Sequence, residues 1–581
     1  MSHFSRPSTK SQQNWRAAIH NREFGDETEY TKALEQLQLA ERSRAFDAEV
    51  IAHASKIEKE AAALVQKIRA FDWDNTYGIS HDAQGGPTGK RTEGEHFLGN
   101  VDLINKTELM QVAKRMPKGA HLHIHFNSCL PASFLIQQAR DIDAMYIRST
   151  LPLINTENMV ASRISFMVMT PHEATHIKDP TGNEKHVPLA NVWDENYVCN
   201  TWMPYQKFHQ NFDFIDESGQ TLKGTLGAET WLERKMQISE SEAYGVQQTG
   251  RGFNYRTQMM KGLFAYESAF RNYTRECIKD FVGDNIQYAE IRPNFMSNNS
   301  LKTDDGTGSI GNEGIMKIID EELRATMEVL QKRGEYFGGM KVIYCTPRSF
   351  QKPQIEKALD ECIDLKKKYA SLLCGFDLVG HEEMGNELRH FVPEFLDFRK
   401  KCKEQNLDIP FLFHCGETLD VGSKVDGNLF DAVLLNAKRI GHGYAIARHP
   451  LIMDIFKEKN IAIECCPISN EVLGLTPVAA GHHLPILLAN DIPCTVNSDN
   501  ATFYRSSLSH DFYQVMIGSE SMTLHGWKQL AKWSLEHSCM DPEHLASVTE
   551  EWTRRWQEYC QWIVDEYGPR LQNWEPRPGR H

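Results

Sequence analysis

The chemical reading of the chain begins at HLHIHFN, where His123 and His125 are separated by one residue. In an extended strand alternate side chains share a face, so the pair presents two imidazoles to a single metal ion, and His121 has the same parity. Three more polar residues close short apolar runs elsewhere: His414 in FHCGET, His442 in IGHGYA and Asp499 in VNSDNAT. A lone H-x-H is more often structural than metal-binding. Joined by His414 and Asp499, it supplies three neutral imidazoles and one carboxylate, a set that suits one Zn²⁺ per chain. Such a set leaves room for a water whose pKa the metal lowers toward neutrality.

These residues need a frame that brings the ends of several strands together. Eight apolar runs rich in Val, Ile, Phe and Cys fit strands: 120–126, 286–292, 340–346, 372–379, 410–414, 439–442, 461–466 and 494–499. Helix-like stretches separate the last six at intervals of one strand, one helix and two loops, which predicts α/β architecture closed as a (β/α)8 TIM barrel. Barrel active sites lie at strand C-terminal ends, and every polar candidate above falls there. Residues 29–71 are rich in Ala, Glu, Lys and Leu with apolar residues recurring at three and four, which predicts a long amphipathic helix or a pair. Its apolar stripe either packs on the main domain or forms a dimer contact.

The expected organisation is an N-terminal helical extension over 1–75, the start of the barrel with its first strand over 76–138, and an inserted subdomain over 139–200 punctuated by Pro, Gly and Asn. The rest of the barrel then occupies 201–560, with a C-terminal tail over 561–581.

The ordered set MPKGAHLHIH, FHCGET, RIGHGYA, ECCPISNEVLG and NSDN resembles the adenosine and AMP deaminase branch of the metal-dependent amidohydrolase superfamily. The similarity spans roughly residues 116–503. The spacing from Lys118 to His123, the N-terminal extension and the insertion after the first strand are most similar to the adenosine deaminase-related growth factor group. The resemblance implies that His123, His125, His414 and Asp499 hold zinc and that Glu417 gives a proton to a purine ring nitrogen. It further implies that His442 orients the attacking water and moves its proton, with Asp499 assisting. It nominates Gly380 and Glu382, in FDLVGHEE, and Trp231 as substrate contacts, with a core role open for Glu382 and Trp231. Two positions depart from the family pattern: Asn500 stands where a second Asp is common, and Asn127 where an acid follows the H-x-H pair. Both bear on the substrate rather than the metal.

The expected activity is hydrolytic deamination of adenosine or a close adenine nucleoside to inosine and ammonia. AMP, adenine or a modified adenosine are alternatives, as is amide or ester hydrolysis on the same frame. A non-catalytic nucleoside-binding signalling protein has no need of a complete proton-transfer set. A net charge of −14 leaves no broad basic surface for nucleic acid. The N-terminus holds no apolar run of signal-peptide length and nothing approaches a membrane span, so the expected location is cytoplasmic and no membrane partner is expected. Thirteen cysteines, several inside apolar runs, fit buried free thiols. A homodimer through the N-terminal helices is the expected assembly.

Overall fold

The computed structural model describes residues 23–77, 91–178, 182–216, 218–243, 246–296 and 300–576, with backbone alone for 246–254. Eight short parallel strands follow the eight apolar runs: β1 (Ala120–His125), β2 (Tyr288–Arg292), β3 (Met340–Pro347), β4 (Leu373–Val379), β5 (His414–Cys415), β6 (Arg439–His442), β7 (Ala462–Cys465) and β8 (Cys494–Val496). They pair in sequence order as two four-stranded sheets, β1 to β4 and β5 to β8. Single parallel bridges join the sheets at both seams, Phe376 to Phe411 and Ile124 to Asp499. At the second seam His125 N–H donates to the Asp499 carbonyl at 3.0 Å and Asp499 N–H to the His123 carbonyl at 3.1 Å, so the closing bonds lie within the candidate site itself.

β1 is not a regular strand. Its register against β2 slips between His121 and Ile124, and Asn497 Oδ1 accepts the amides of both Leu122 (2.9 Å) and His123 (3.0 Å). A bulge of this kind re-aims the side chains that follow it. The parity that His121 shares with His123 in the sequence is therefore broken in space. His121 Nε2 instead accepts from the Ser498 amide at 3.1 Å, and its ring packs on Phe281.

Among the described residues, the stretch expected as one long helix or a pair forms three helices, Glu27–Arg42, Ala48–His53 and Lys56–Asn75. Lys56–Asn75 opens on a capping box, Ser55 with Glu58, and buries Ala61, Val65 and Ile68 against the long C-terminal helix Pro542–Leu571. Each large aliphatic buried this way contributes about 1.5–3 kcal/mol. Glu27–Arg42 buries no side chain.

After β1 the chain leaves the barrel. Met145–Ser149 pairs antiparallel with Ile164–Val168 and with Met203–Pro204, and a hairpin joins His176–Lys178 to Glu184–His186. Helices Gly224–Met236, Val246–Phe264 and Glu267–Gly283 return the chain to β2. Among the described residues no helix is long and apolar enough to cross a membrane, and all thirteen cysteines are free.

Candidate metal and catalytic site

The strand ends gather the predicted polar residues. Ligand atoms of His123, His414, His442 and Asp499 lie within 4.8 Å of one another, and His125 Nε2 stands 3.3 Å from Asp499 Oδ1. Gly441 makes the gathering possible, because a Cβ there would sit 2.8 Å from His123 Cε1. Asp499 (φ +57°) and His442 (φ +60°) both hold left-handed backbone conformations that non-glycine residues rarely adopt, a strain that concentrates at functional sites.

Hydrogen bonds fix where the protons lie. Glu464 Oε2 accepts from His123 Nδ1 at 2.8 Å, and Asp377 Oδ2 accepts from His414 Nδ1 at 2.7 Å. Carboxylates only accept, so each ring in its neutral form carries its proton on Nδ1 and turns a bare Nε2 lone pair toward the cluster. His123 Nε2 is buried with no hydrogen-bond partner. An orphaned buried lone pair backed by a carboxylate is what a metal ligand requires, so the donor set fits a divalent ion. Burial, partly offset by Asp377, holds His414 down to about 4 and keeps it neutral. Burial works to raise the Asp499 carboxyl, but the imidazoles gathered against it, His123, His125 and His442, outweigh it and hold the group well below the usual carboxylate range.

The two backing carboxylates are themselves tied together. Arg292 donates Nη2 to Glu464 (2.6 Å) and Nε to Asp377 (3.0 Å), and Arg439 bridges Glu464 to Glu290 at 2.6 Å on each side. All five side chains are fully buried inside the barrel. Removing one member would leave uncompensated charge there.

His442 behaves differently. The Leu484 amide donates to His482 Nδ1 (3.1 Å), so the neutral ring of His482 must donate Nε2–H to Asn470 Oδ1 (2.9 Å). The Asn470 amide then faces His442 Nδ1 at 3.3 Å and makes it an acceptor. The proton of His442 therefore sits on Nε2, which cannot ligate a metal and can donate to an oxygen held in front of the cluster.

Glu417, three residues beyond His414, brings Oε1 to 3.4 Å from His442 Nδ1, and its side chain is 18% exposed. Burial, then the nearby charges of Asp499 and Glu382, push its carboxyl well above the usual range. A protonated acid is also the form compatible with a facing lone pair on Nδ1.

The remaining predicted residues take varied places. Asn500 donates its amide to Asp499 Oδ1 at 2.8 Å. Gly380 follows β4 with φ +102° and open space beside it. Asn127 lies half-buried in the turn after β1. Glu382 is a scaffold: its carboxylate accepts from the Glu417 amide (2.6 Å), Arg348 (3.2 Å) and Asn428 (3.0 Å), so it holds the loop of the acid. Trp231 packs on Phe212 at 4.9 Å and Phe208 at 6.2 Å between ring centroids, which are the contacts of a core tryptophan. Ser469, which donates to Asp499 Oδ2 at 2.7 Å, was missed as a site residue, as were Glu464, Asp377, Asn470 and His482. The signal for three of them stood in ECCPISN: a charged residue inside an apolar strand, followed by two hydrogen-bonding residues at its end.

A parallel eight-stranded barrel with a histidine–aspartate cluster at its strand ends, two of its imidazoles backed by carboxylates, defines a metal-dependent hydrolase of the amidohydrolase type. A profile of the adenosine deaminase family matches residues 242–553. The adenosine deaminase of Aedes albopictus is 36% identical over 485 residues, covering 82% of this chain and 80% of that protein. Human adenosine deaminase 2 is 28% identical over 472 residues, 80% of this chain and 82% of that one. Among solved structures, Arabidopsis ADAL complexed with GMP superposes with a TM-score of 0.51 at 15% identity, over 76% of this chain and 98% of that one, and shares the fold. The chain belongs to the adenosine deaminase family.

Proposed function

We propose that the chain is a zinc-dependent aminohydrolase that converts adenosine, or a close adenine nucleoside, and water to inosine and ammonia. The observation that carries this reading is the division of protonation states in one pocket: bare Nε2 atoms on His123 and His414, a donating Nε2–H on His442, and a protonated carboxyl on Glu417. A binding protein has no use for that division, whereas hydrolytic deamination needs each part of it.

His123, His125, His414 and Asp499 would hold the ion, which when bound supplies Lewis acidity that makes a water nucleophilic near neutral pH. His442 Nε2–H holds the attacking oxygen, and the ionised Asp499 is the acceptor for its proton. Glu417 delivers a proton to the purine ring nitrogen beside the amine-bearing carbon, which relieves the charge that develops on the ring. Once the carbon–oxygen bond has formed, the amine takes the proton held by Asp499 as the carbon–amine bond breaks and leaves as ammonia, and the hydroxyl proton returns Glu417 to its acid form as the carbonyl forms. Gly380 offers its backbone, and Asn500 and Asn127 their amides, to the substrate.

Purified protein assayed against adenosine, deoxyadenosine, AMP and adenine, for ammonia and for the ultraviolet change of deamination, tests the reading. Turnover of adenosine is expected, and deoxyadenosine, AMP or adenine as the preferred substrate would be shown by its own arm. Product without ammonia would mark a different amidohydrolase, and an inert panel would overturn the proposal.

Two coarser expectations fit the same reading. Tyr30, Leu34, Leu37 and Leu39 are exposed on the helix Glu27–Arg42, which supports pairing of two chains there. Sedimentation of the full chain against one lacking residues before Ala45 checks it without opening the core. Thirteen free thiols suit a reducing compartment such as the cytoplasm.

A further inference from the structure

At the end of the barrel opposite the catalytic site, ligand atoms of Glu290, Cys374 and Cys539 lie within 4.8 Å of one another. Cys374, near the start of β4, is buried, while Cys539, just beyond the helix Leu524–Glu536, is half-buried. A soft metal cation is a poor occupant. Arg439 Nη1 stands 3.6 Å and Lys438 Nζ 3.9 Å from Cys539 Sγ, and the one carboxylate, Glu290, is already engaged by Arg439 (2.6 Å) and by the Cys539 amide (2.5 Å). Two cations on one sulfur repel a metal ion and favour a thiolate.

We infer that Cys539 and Cys374 form a reactive thiol pair, in which Cys539 is the nucleophile oxidised by a hydroperoxide and Cys374 resolves it as a disulfide.

The two thiols are unequal in the sense this needs. The neighbouring Cys374 thiol, with Arg439 and Lys438, outweighs burial and the charge of Glu290, so the Cys539 thiol is held below its ordinary value. Burial pushes the Cys374 thiol well up, so it keeps its proton. Two other thiol pairs, Cys129 with Cys277 and Cys465 with Cys494, are neighbours, but both lie wholly in the core. Only the Cys539 pair joins a half-buried residue to adjacent cations among the described residues.

In the first step the Cys539 thiolate attacks a peroxide oxygen. A sulfur–oxygen bond forms, the oxygen–oxygen bond breaks, and the departing oxygen takes a proton and leaves as water or an alcohol. The Cys374 sulfur then attacks the sulfenic sulfur: the disulfide forms, the sulfur–oxygen bond breaks, and hydroxyl leaves as water with the Cys374 proton. The two thiols together lose two electrons, and the hydroperoxide gains them.

The test uses the intact, metal-loaded protein, with exposed Cys199 as an internal standard for an ordinary thiol. Brief iodoacetamide labelling across pH 6–9 followed by peptide mapping should show Cys539 modified roughly fivefold faster than Cys199 at pH 7 despite its lower exposure, with a lower pH midpoint. Lys438→Gln should shrink that advantage. Hydrogen peroxide at one equivalent should yield a peptide pair linking residues 374 and 539, reversed by dithiothreitol, whereas Cys374→Ser should stop at a sulfenic acid on Cys539 that dimedone traps. Labelling of Cys199 first, with Cys539 reached only after denaturation, would overturn the inference. Oxidation of native wild-type protein at Cys539 without the 374–539 link would do the same.

Discussion

Asn470 donates its side-chain amide to His442 Nδ1 at 3.3 Å while its carbonyl accepts from His482, so one asparagine decides which face of the histidine carries the proton. Asn470→Asp keeps the acceptor for His482 but offers His442 only acceptors. The His442 proton then moves to Nδ1 and Nε2 becomes a bare lone pair beside the metal donors. kcat should fall by about 10²-fold or more, the order of a lost proton-handling group, with metal content unchanged. Steady-state kinetics beside metal analysis decides it, and a variant with wild-type kcat would free His442 from this control.

The metal set makes a graded prediction. His123→Ala or Asp499→Ala should abolish metal and activity together. Glu464→Gln leaves every ligand in place but removes the charge that His123 Nδ1 (2.8 Å), Arg292 (2.6 Å) and Arg439 (2.6 Å) share. Metal affinity should then weaken by about 10–100-fold, the range for a lost carboxylate behind a ligating histidine. Competition with a chelator of known affinity measures it, and unchanged affinity would make Glu464 a structural residue alone.

The strand ends were legible because barrel chemistry must sit there and because each run closes on a polar residue. What could not be read was the partner of each polar residue. His121 matches His123 in parity, and only the bulge that Asn497 stabilises, a contact across 374 residues, separates them. Glu382 and Trp231 lie in segments similar to substrate-binding ones, yet Glu382 spends its carboxylate on the Glu417 amide and Trp231 packs in an aromatic core. Glu464 and Asp377 are charges inside apolar strands, and only their histidine partners, 341 and 37 residues away in the chain, give them a role. Local pattern specifies where a side chain emerges; long-range pairing specifies what it does.

Glu417→Gln should keep the metal while kcat falls by at least about 10²-fold. The carboxyl acts only while protonated, and its value is raised by burial and by Asp499. Wild-type activity should therefore decline as pH rises through that raised value, and the residual activity of the variant should lose this alkaline limb. A pH–rate profile of both proteins is the measurement. The same limb in the variant would assign it to another group.

Asn500→Asp replaces a donor, 2.8 Å from Asp499 Oδ1, by a second carboxyl. Two carboxylates at that distance cannot both ionise cheaply, so the introduced acid should hold its proton with a raised pKa and donate in place of the amide. Below that pKa the variant should resemble the parent. Above it the repulsion grows and the donor toward a purine nitrogen is lost, so KM should rise with pH in the variant and stay flatter in the parent, with metal content near one ion per chain. Identical KM profiles across the substrate panel would remove Asn500 from recognition.

Glu471 is buried where it accepts the Phe97 amide (2.7 Å) and the Gln514 side-chain amide (2.9 Å), and burial raises it to about 8 against those bonds. The folded chain thus holds a proton that the unfolded chain releases near the ordinary carboxylate value. The contribution is fully present at acid pH and is lost as pH rises through about 8, and Asp280 (about 7) and Asp72 (about 6) act in the same direction. Glu471→Gln is neutral at every pH. Its carbonyl can still accept from Phe97, and its new amide can donate to Gln514 Oε1, which is buried without a partner, once the Gln514 amide turns over. The variant should be close to the wild type in Tm near pH 5 and exceed it by a margin that widens as pH rises toward ~8.5. Thermal unfolding across that range reads the difference directly. A gap that is constant with pH, or that favours the wild type at alkaline pH, would mean that Glu471 is ionised in the folded chain.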